Sequence, residues 1–303
     1  METTIKSNMP SISVIITAYN RRLYLLQCIK SVINQTLDKS RYEIIVVKNF
    51  KDKTIDDFME KNGVKSIFYN TVDPKTGGIG QGVFYQQAIE QSNGEILCFL
   101  DDDDYFVKDK LEKVYEIFNT NKKVVYYHNR PIFINENGHR IKKSRKSPDY
   151  NSSSISIRKK IINLEKLVQV ETAPDTFFYL SAVEYGGKIL IKNDPLTVVR
   201  IHTSLTNISS EEESISWIPI ALKHYYKFLD MFDSAEAKQY VKSIIFSFSI
   251  ASFSITPNQK PRYFCDFIFS KRSEKISLTI KFLLIFLFGK NAKKIVSKRY
   301  LHH

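Results

Sequence analysis

An α/β fold is predicted by this sequence: a mostly parallel sheet flanked by helices, followed by a helical C-terminal extension. Three observations predict it. Short apolar runs rich in β-branched residues recur at 11–17, 42–47 and 95–100, segments with apolar residues at helical spacing separate them, and the apolar pattern beyond residue 207 is helical. Strands and helices alternating in this way form right-handed βαβ units with parallel strands. The 303 residues, 43% hydrophobic and 25% charged, suit a folded chain with one α/β domain plus an extension.

Ser11 to Thr17 is bounded by Pro10 and Tyr19-Asn20 and reads as a strand buried on both faces. Arg21 to Gln35 carries Leu25, Leu26, Ile29 and Ile33 at helical spacing, with Asn20 placed to cap it. Tyr42 to Val47 is the second buried strand, Thr54 to Lys61 a short helix, and Ser66 to Asn70 a third strand. Gly77-Gly78-Ile79-Gly80 leads into a helix stopped at Asn93-Gly94. Glu95 to Leu100 is the next strand, and Lys108 to Asn119 a helix with Leu111, Val114, Tyr115 and Phe118 on one face. Shorter strands follow at 124–128, 132–135 and 188–191, with a polar loop at 142–154 that suits a lid or acceptor-side loop. The expected domains are 1–206 and 207–303, the latter with helices at 211–231, 234–253 and 277–288.

Asp101-Asp102-Asp103-Asp104 stands directly after an apolar strand. Ligands of open parallel sheets bind outside the carboxyl ends of the strands, where these acids fall. Crowded like charges raise one another's pKa unless a cation relieves them. Mn²⁺ or Mg²⁺ does so with oxygen ligands and retains phosphate oxygens in its shell. The plainer reading is a solvated acidic turn capping the next helix, a task one acid such as Asp104 suffices for.

Three stretches in order, Ser13 to Arg21 (SVIITAYNR), Tyr42 to Val47 (YEIIVV) and Gly94-Glu95-Ile96 through Phe99 to Asp104, resemble family 2 glycosyltransferases of the GT-A fold over about residues 10 to 205. The resemblance implies inverting transfer of a sugar from a nucleoside-diphosphate donor to an acceptor hydroxyl. UDP-sugar is the commonest donor, with GDP- or dTDP-sugar as alternatives, and the metal is Mn²⁺ or Mg²⁺. It places Asp101 and Asp103 on the Asp-x-Asp motif, with Asp101 and Asp102 on the donor side and Asp103 on the metal. It assigns Thr17, Ala18 and Tyr19 to the nucleotide, Asp175 of Ala173-Pro174-Asp175 to the catalytic base, and His202 to the diphosphate or metal. Asp175 also reads as a helix-capping acid, Glu171 is the alternative base, and His202 also reads as a loop histidine. His128, on a strand, reads as packing. Two positions depart from the family. Lys48-Asn49-Phe50 replaces acids after the second strand, leaving Asn49 to meet the base and Lys48 either to meet a phosphate or to be exposed. Tyr85 and Gln86 replace Arg and Asn on the helix after the glycines.

Net charge is +13, and residues 271–303 hold nine Lys or Arg against one acid, Glu274. Such a tail suits an anionic partner or a merely solvated surface. The 276–294 stretch combines an apolar face with flanking lysines, as an interfacial helix does. The expectation is peripheral contact with the cytoplasmic membrane face near a glycan or lipid-linked acceptor, the alternative a helical cap or homodimer interface. Nucleic acid is not expected as a partner, because no motif accompanies the basicity. Cys28, Cys98 and Cys265 show no ligand spacing and suit reduced packing in the cytoplasm. Residues 1–10 lack an apolar core of signal-peptide length. A silent sugar-nucleotide or glycan-binding module of the same fold is the competing function. A sugar nucleotidyltransferase is disfavoured by the missing Arg-containing glycine loop.

Overall fold

The computed structural model describes residues 10–19, 21–69, 80–141, 151–201, 211–255, 265, 268 and 275–288. They divide into two compact units, one ending at Ile201 and one comprising the helices from Glu211 onward. The first holds one eight-stranded sheet: β1 (Ile12–Ala18), β2 (Tyr42–Lys48), β3 (Lys65–Phe68), β4 (Ile96–Asp101), β5 (Tyr105–Phe106), β6 (Val124–Asn135), β7 (Ile155–Arg158) and β8 (Lys188–Ile201). Their order across the sheet is β3-β2-β1-β4-β7-β6-β8-β5. Because β7 pairs antiparallel with β4 and β6, and β5 antiparallel with β8, the other strands all run one way.

The helices of this unit are α1 (Leu25–Ile33), α2 (Lys53–Lys61), α3 (Gln81–Glu90), α4 (Lys110–Thr120), α5 (Leu164–Leu167) and α6 (Pro174–Tyr185). Strand side chains alternate between faces. Ile12, Val14 and Ile16 with Ile44, Val46, Cys98 and Leu100 form one core with Leu25, Cys28, Ile29 and Val32 of α1. On the other face Phe99 stacks on Phe178 of α6 at 4.0 Å and meets Tyr85 of α3 edge-on at 5.2 Å. Fully burying one such apolar side chain stabilises by roughly 1.5–3 kcal/mol. Cys28 and Cys98 are buried free thiols, whereas Cys265 is exposed. Burial raises both buried thiols' pKa, so they pack rather than react.

Several boundaries differ from the sequence reading. α1 begins at Leu25, leaving Arg21 to Tyr24 outside any helix or strand, and the expected cap Asn20 lies outside the described residues. Helical spacing does not register a side chain pulled away by a distant charge, which is what occupies Arg21. The strands expected at 124–128 and 132–135 are one strand, β6, irregular after Val124, His128 and Arg130. Pro131 sits at such an irregularity, where its missing N–H is tolerated. The 188–191 strand likewise extends to Ile201 as β8, paired with β6 over Lys188–Ile191 and again from Pro195 to Ile201. The expected polar loop ends in a buried 3-10 turn, Ser152–Ser154, while 142–150, 70–79 and 202–210 lie outside the described residues.

The second unit contains α7 (Glu211–Met231), α8 (Ala235–Ile255) and α9 (Lys275–Phe288). Tyr225 and Phe228 of α7, and Val241, Ile245 and Phe246 of α8, are buried, and Tyr225 stacks on Phe248 at 5.4 Å. No described helix is long and apolar enough to cross a membrane.

Candidate active site

β1, β2 and β4 run parallel and end side by side, so the residues that finish them meet at one sheet edge. Thr17 is the register partner of both Val47 and Asp101, and Ala18 of Lys48. Thr17 and Asp101 share the face of Ile15 and Phe99, the face covered by α3 and α6. There the Tyr85 hydroxyl lies 3.4 Å from Asp101 Oδ1 and also hydrogen-bonds the side chains of Thr17 and Ser152. Tyr19 packs edge-on against Phe84 at 6.3 Å.

A close approach brings α3 to this edge. The Gly82 N–H donates to Val170 O at 2.9 Å and the Gln81 N–H to Glu171 O at 3.2 Å. A Cβ on Gly82 would fall 1.8 Å from Leu167 O, so only glycine allows this docking. The chain then passes through Ala173, whose φ of 57° is left-handed, into Pro174 at the start of α6. A non-glycine residue held there costs of order 1–3 kcal/mol and is sustained by the surroundings. The turn sets Asp175 in the first turn of α6, within electrostatic reach of Asp101 and Tyr85. Glu171, the alternative base, has an exposed side chain.

The four acids occupy distinct surroundings. Asp102 is 1% exposed and Asp103 14%, and the Arg21 guanidinium joins them, Nη2 to Asp102 Oδ1 at 2.5 Å and Nη1 to Asp103 Oδ2 at 2.6 Å. Asp102 Oδ2 is buried and accepts no hydrogen bond among the described residues. Asp104 does not cap a helix as the sequence suggested. Its carboxylate is buried, accepting from Ser153 Oγ at 2.6 Å and from the Arg200 N–H at 3.0 Å, and α4 starts only at Lys110. Ser153 Oγ also accepts the Asp101 N–H at 3.0 Å. Withdrawal from water is the largest cause raising the pKa of Asp101 and Asp102, each to about 7, and the neighbouring acids add to it while Arg21 opposes. Desolvation likewise lifts Asp175 to about 6, against backbone hydrogen bonds that favour its charged form.

Lys110 lies behind the turn, fully buried. Its ammonium donates to Asn129 Oδ1 at 2.7 Å, Ser153 O at 3.0 Å and Thr197 Oγ1 at 3.0 Å, and burial lowers its pKa to about 7. Arg200 reaches Asp103 O at 3.3 Å and Gln27 Oε1 at 2.9 Å and lies over the Tyr24 ring. Lys48 is not exposed: it is buried, 2.7 Å from Phe50 O and 2.8 Å from Asp56 Oδ1. Asn49 beside it is half-buried, His128 is buried as expected of a packing residue, and Gln86 pairs with Glu90. His202 lies outside the described residues.

The structure thus gathers Thr17, Ala18, Tyr19, Asn49, Asp101, Asp102 and Asp103 near one edge and adds Tyr85, Asp175, Arg21, Ser153 and Arg200. Sequence reading missed Arg21, Ser153 and Arg200 as partners of the acids, and Lys110 as the buried cation bonded to Ser153 O behind them. A signal for Arg21 existed, since four adjacent acids need nearby cations and Arg21 closely follows the strand that ends beside them. Nothing local marked the others.

The family model for Glycosyl transferase family 2 matches residues 13–183. An uncharacterized glycosyltransferase of Haemophilus influenzae is 26% identical over 208 residues, covering 64% of this chain and 80% of that protein. A poly(ribitol-phosphate) beta-glucosyltransferase of Bacillus spizizenii is 32% identical over 114 residues, which is 37% of this chain and only 18% of that protein. Among solved structures, S. aureus TarS 1-349 in complex with UDP-GlcNAc superposes with a TM-score of 0.59 at 17% identity, covering 96% of this chain and 91% of that one.

Proposed function

The chain belongs to glycosyl transferase family 2 and is a glycosyltransferase of GT-A fold, and from that premise we propose that it moves a sugar, with inversion and metal dependence, from a nucleoside-diphosphate donor to a glycan or lipid-linked hydroxyl. One observation carries this reading: Asp101, Asp103 and Asp175 converge at the carboxyl edge of the parallel strands. The carboxylate oxygen that Asp103 offers is a donor Mn²⁺ or Mg²⁺ takes. Among the described residues no three His, Cys, Asp or Glu side chains are grouped to hold an ion alone, so donor phosphates would have to complete its shell. Asp103 would hold the ion with His202, Asp101 and Asp102 would face the donor, and Thr17, Ala18, Tyr19 and Asn49 would line the nucleotide. The bound ion supplies neutralisation of the charge that builds on the departing diphosphate.

Asp175 is the general base. An acceptor hydroxyl is a weak nucleophile near pH 7, and a carboxylate with pKa near 6 takes its proton as the bond to the sugar forms. The Tyr85 hydroxyl, 3.4 Å from Asp101 Oδ1, steadies that carboxylate. UDP-GlcNAc in the TarS complex favours a UDP-sugar, with GDP- and dTDP-sugars as alternatives. A thermal-shift screen of these donors with and without Mn²⁺ tests the reading, since a ligand of the folded state alone raises the melting point. A melting point unmoved by every donor under both conditions would sink it. The silent binding module draws support from Lys48, whose ion pair with Asp56 replaces a base-reading acid. Donor turnover by the wild-type chain rules that module out.

We place the protein in the cytoplasm, on the membrane face reached through its C-terminal unit. On α9, Ile285 is buried and Phe282 packs on Phe246 at 5.5 Å, whereas Ile280, Leu283, Phe286, Leu287 and Phe288 are all exposed, Phe286 to 77%. A wide apolar face beside nine Lys or Arg between 271 and 303 matches an anionic bilayer surface. The full chain should float with vesicles containing anionic lipid, and F286D/L287D should sink from them. Equal flotation, or a variant that only halves the solution mass, points instead to a dimer interface.

A further inference from the structure

We infer that Arg21 is a latch on the acidic turn: its guanidinium competes with a divalent cation for the Asp103 carboxylate, and a diphosphate-bearing donor draws it off. The inference rests on the metal-dependent reading above. Its grounds are how each partner is held. Asp102 and Asp103 lie on a turn closed by the Asp104 N–H donating to Asp101 O at 3.1 Å and tied down through Ser153 and Arg200. Arg21 is 39% exposed and belongs to a stretch outside any helix or strand, between the end of β1 at Ala18 and the start of α1 at Leu25.

The guanidinium takes Asp103 Oδ2 at 2.6 Å. A divalent ion needs the same carboxylate, and the two cations repel at that range. An ion arriving alone therefore has to displace an intact, partly desolvated two-point pair. An ion arriving with a diphosphate meets a different balance, because the phosphate oxygens offer the planar guanidinium a fork of equal geometry. Arg21 thereby makes metal uptake conditional on the donor, a coupling of two ligands through one movable side chain.

Mn²⁺ binding to the full chain, followed by the electron spin resonance of free Mn²⁺, tests this without relying on activity. Arg21→Ala should bind Mn²⁺ alone about tenfold or more tightly than the parent, as expected when a competitor occupying most molecules is removed. UDP, GDP or dTDP, added in turn, should tighten Mn²⁺ binding by a larger factor in the parent than in Arg21→Ala. Arg21→Lys keeps the charge and loses the fork, so it should fall between the two, and it decides the matter if Arg21→Ala does not fold. Folded variants that bind Mn²⁺ alone no more tightly than the parent overturn the latch, while nucleotide-dependent Mn²⁺ uptake by the parent leaves the metal reading standing. No Mn²⁺ uptake by any of the proteins under any condition overturns both.

Discussion

Asp175→Asn is expected to slow sugar transfer by about 10²–10⁴-fold, the usual worth of a positioned general base, with donor affinity unchanged by calorimetry. Asp175 is not the N-cap of α6, which is Ala173, and Asn preserves its size and an oxygen that can still accept from the Asp175 and Thr176 N–H groups, so the first turn of α6 keeps its local hydrogen bonds. The substitution removes only the capacity to accept a proton, which separates a catalytic role from a structural one. The wild-type profile should agree. With a pKa of about 6, Asp175 is ionised above that pH and protonated below it, so kcat at saturating donor and metal, where Asp101 and Asp102 are already engaged, should be level near pH 7 and fall about tenfold per unit below pH 6. Turnover by Asp175→Asn at the parent's rate would leave Asp175 as a first-turn acid of α6 with no part in the chemistry and move the base elsewhere, with Glu171 the first to examine.

How much of this was legible from residues alone depended on the range of the interactions. Strands β1, β2 and β4 announced themselves because burial on both faces demands unbroken apolar runs, and the acids were visible as a violation of that pattern at the strand's end. The pairing of β6 with β8 was not visible as such. Each strand mixes buried and half-exposed residues, so two long, irregular strands resembled several short ones. The acidic turn was readable because its residues are adjacent in sequence. Its supports were not: Ser153 and Arg200 reach the acidic turn from two other elements, and Lys110 holds Ser153 from a third, where a buried lysine on an amphipathic helix reads as a surface one. Lys48 misled for the same reason, since its partner Asp56 lies on the next helix, in another element.

Asp103→Ala is expected to abolish transfer and metal-dependent donor binding while leaving the ligand-free protein at least as stable as the parent at pH 8. The sign follows from the raised carboxyl pKa values. Asp101 and Asp102 titrate near 7 when folded, well above the ordinary carboxylate value. Between about pH 4 and 7 the folded state therefore holds protons that the unfolded chain has lost, and stability falls as pH rises through that window. Asp103 contributes to both shifts. Removing it lowers the repulsion felt by two ionised neighbours at pH 8, and changes little at pH 5, where those neighbours are protonated. Arg21 keeps Asp102 as a partner and remains in contact with water. The gain should be about 1 kcal/mol, or roughly 2–4 °C in melting temperature for a unit of this size, appearing at pH 8 and absent at pH 5. A residue that serves only the fold would show the reverse, lower stability with activity falling in step. If Asp103→Ala melts well below the parent at pH 8 yet still transfers sugar, the acidic turn is scaffolding. If it melts at or above the parent and transfers nothing, the crowding of negative charge at the end of β4 is maintained, at a cost to stability, for the ligand it receives.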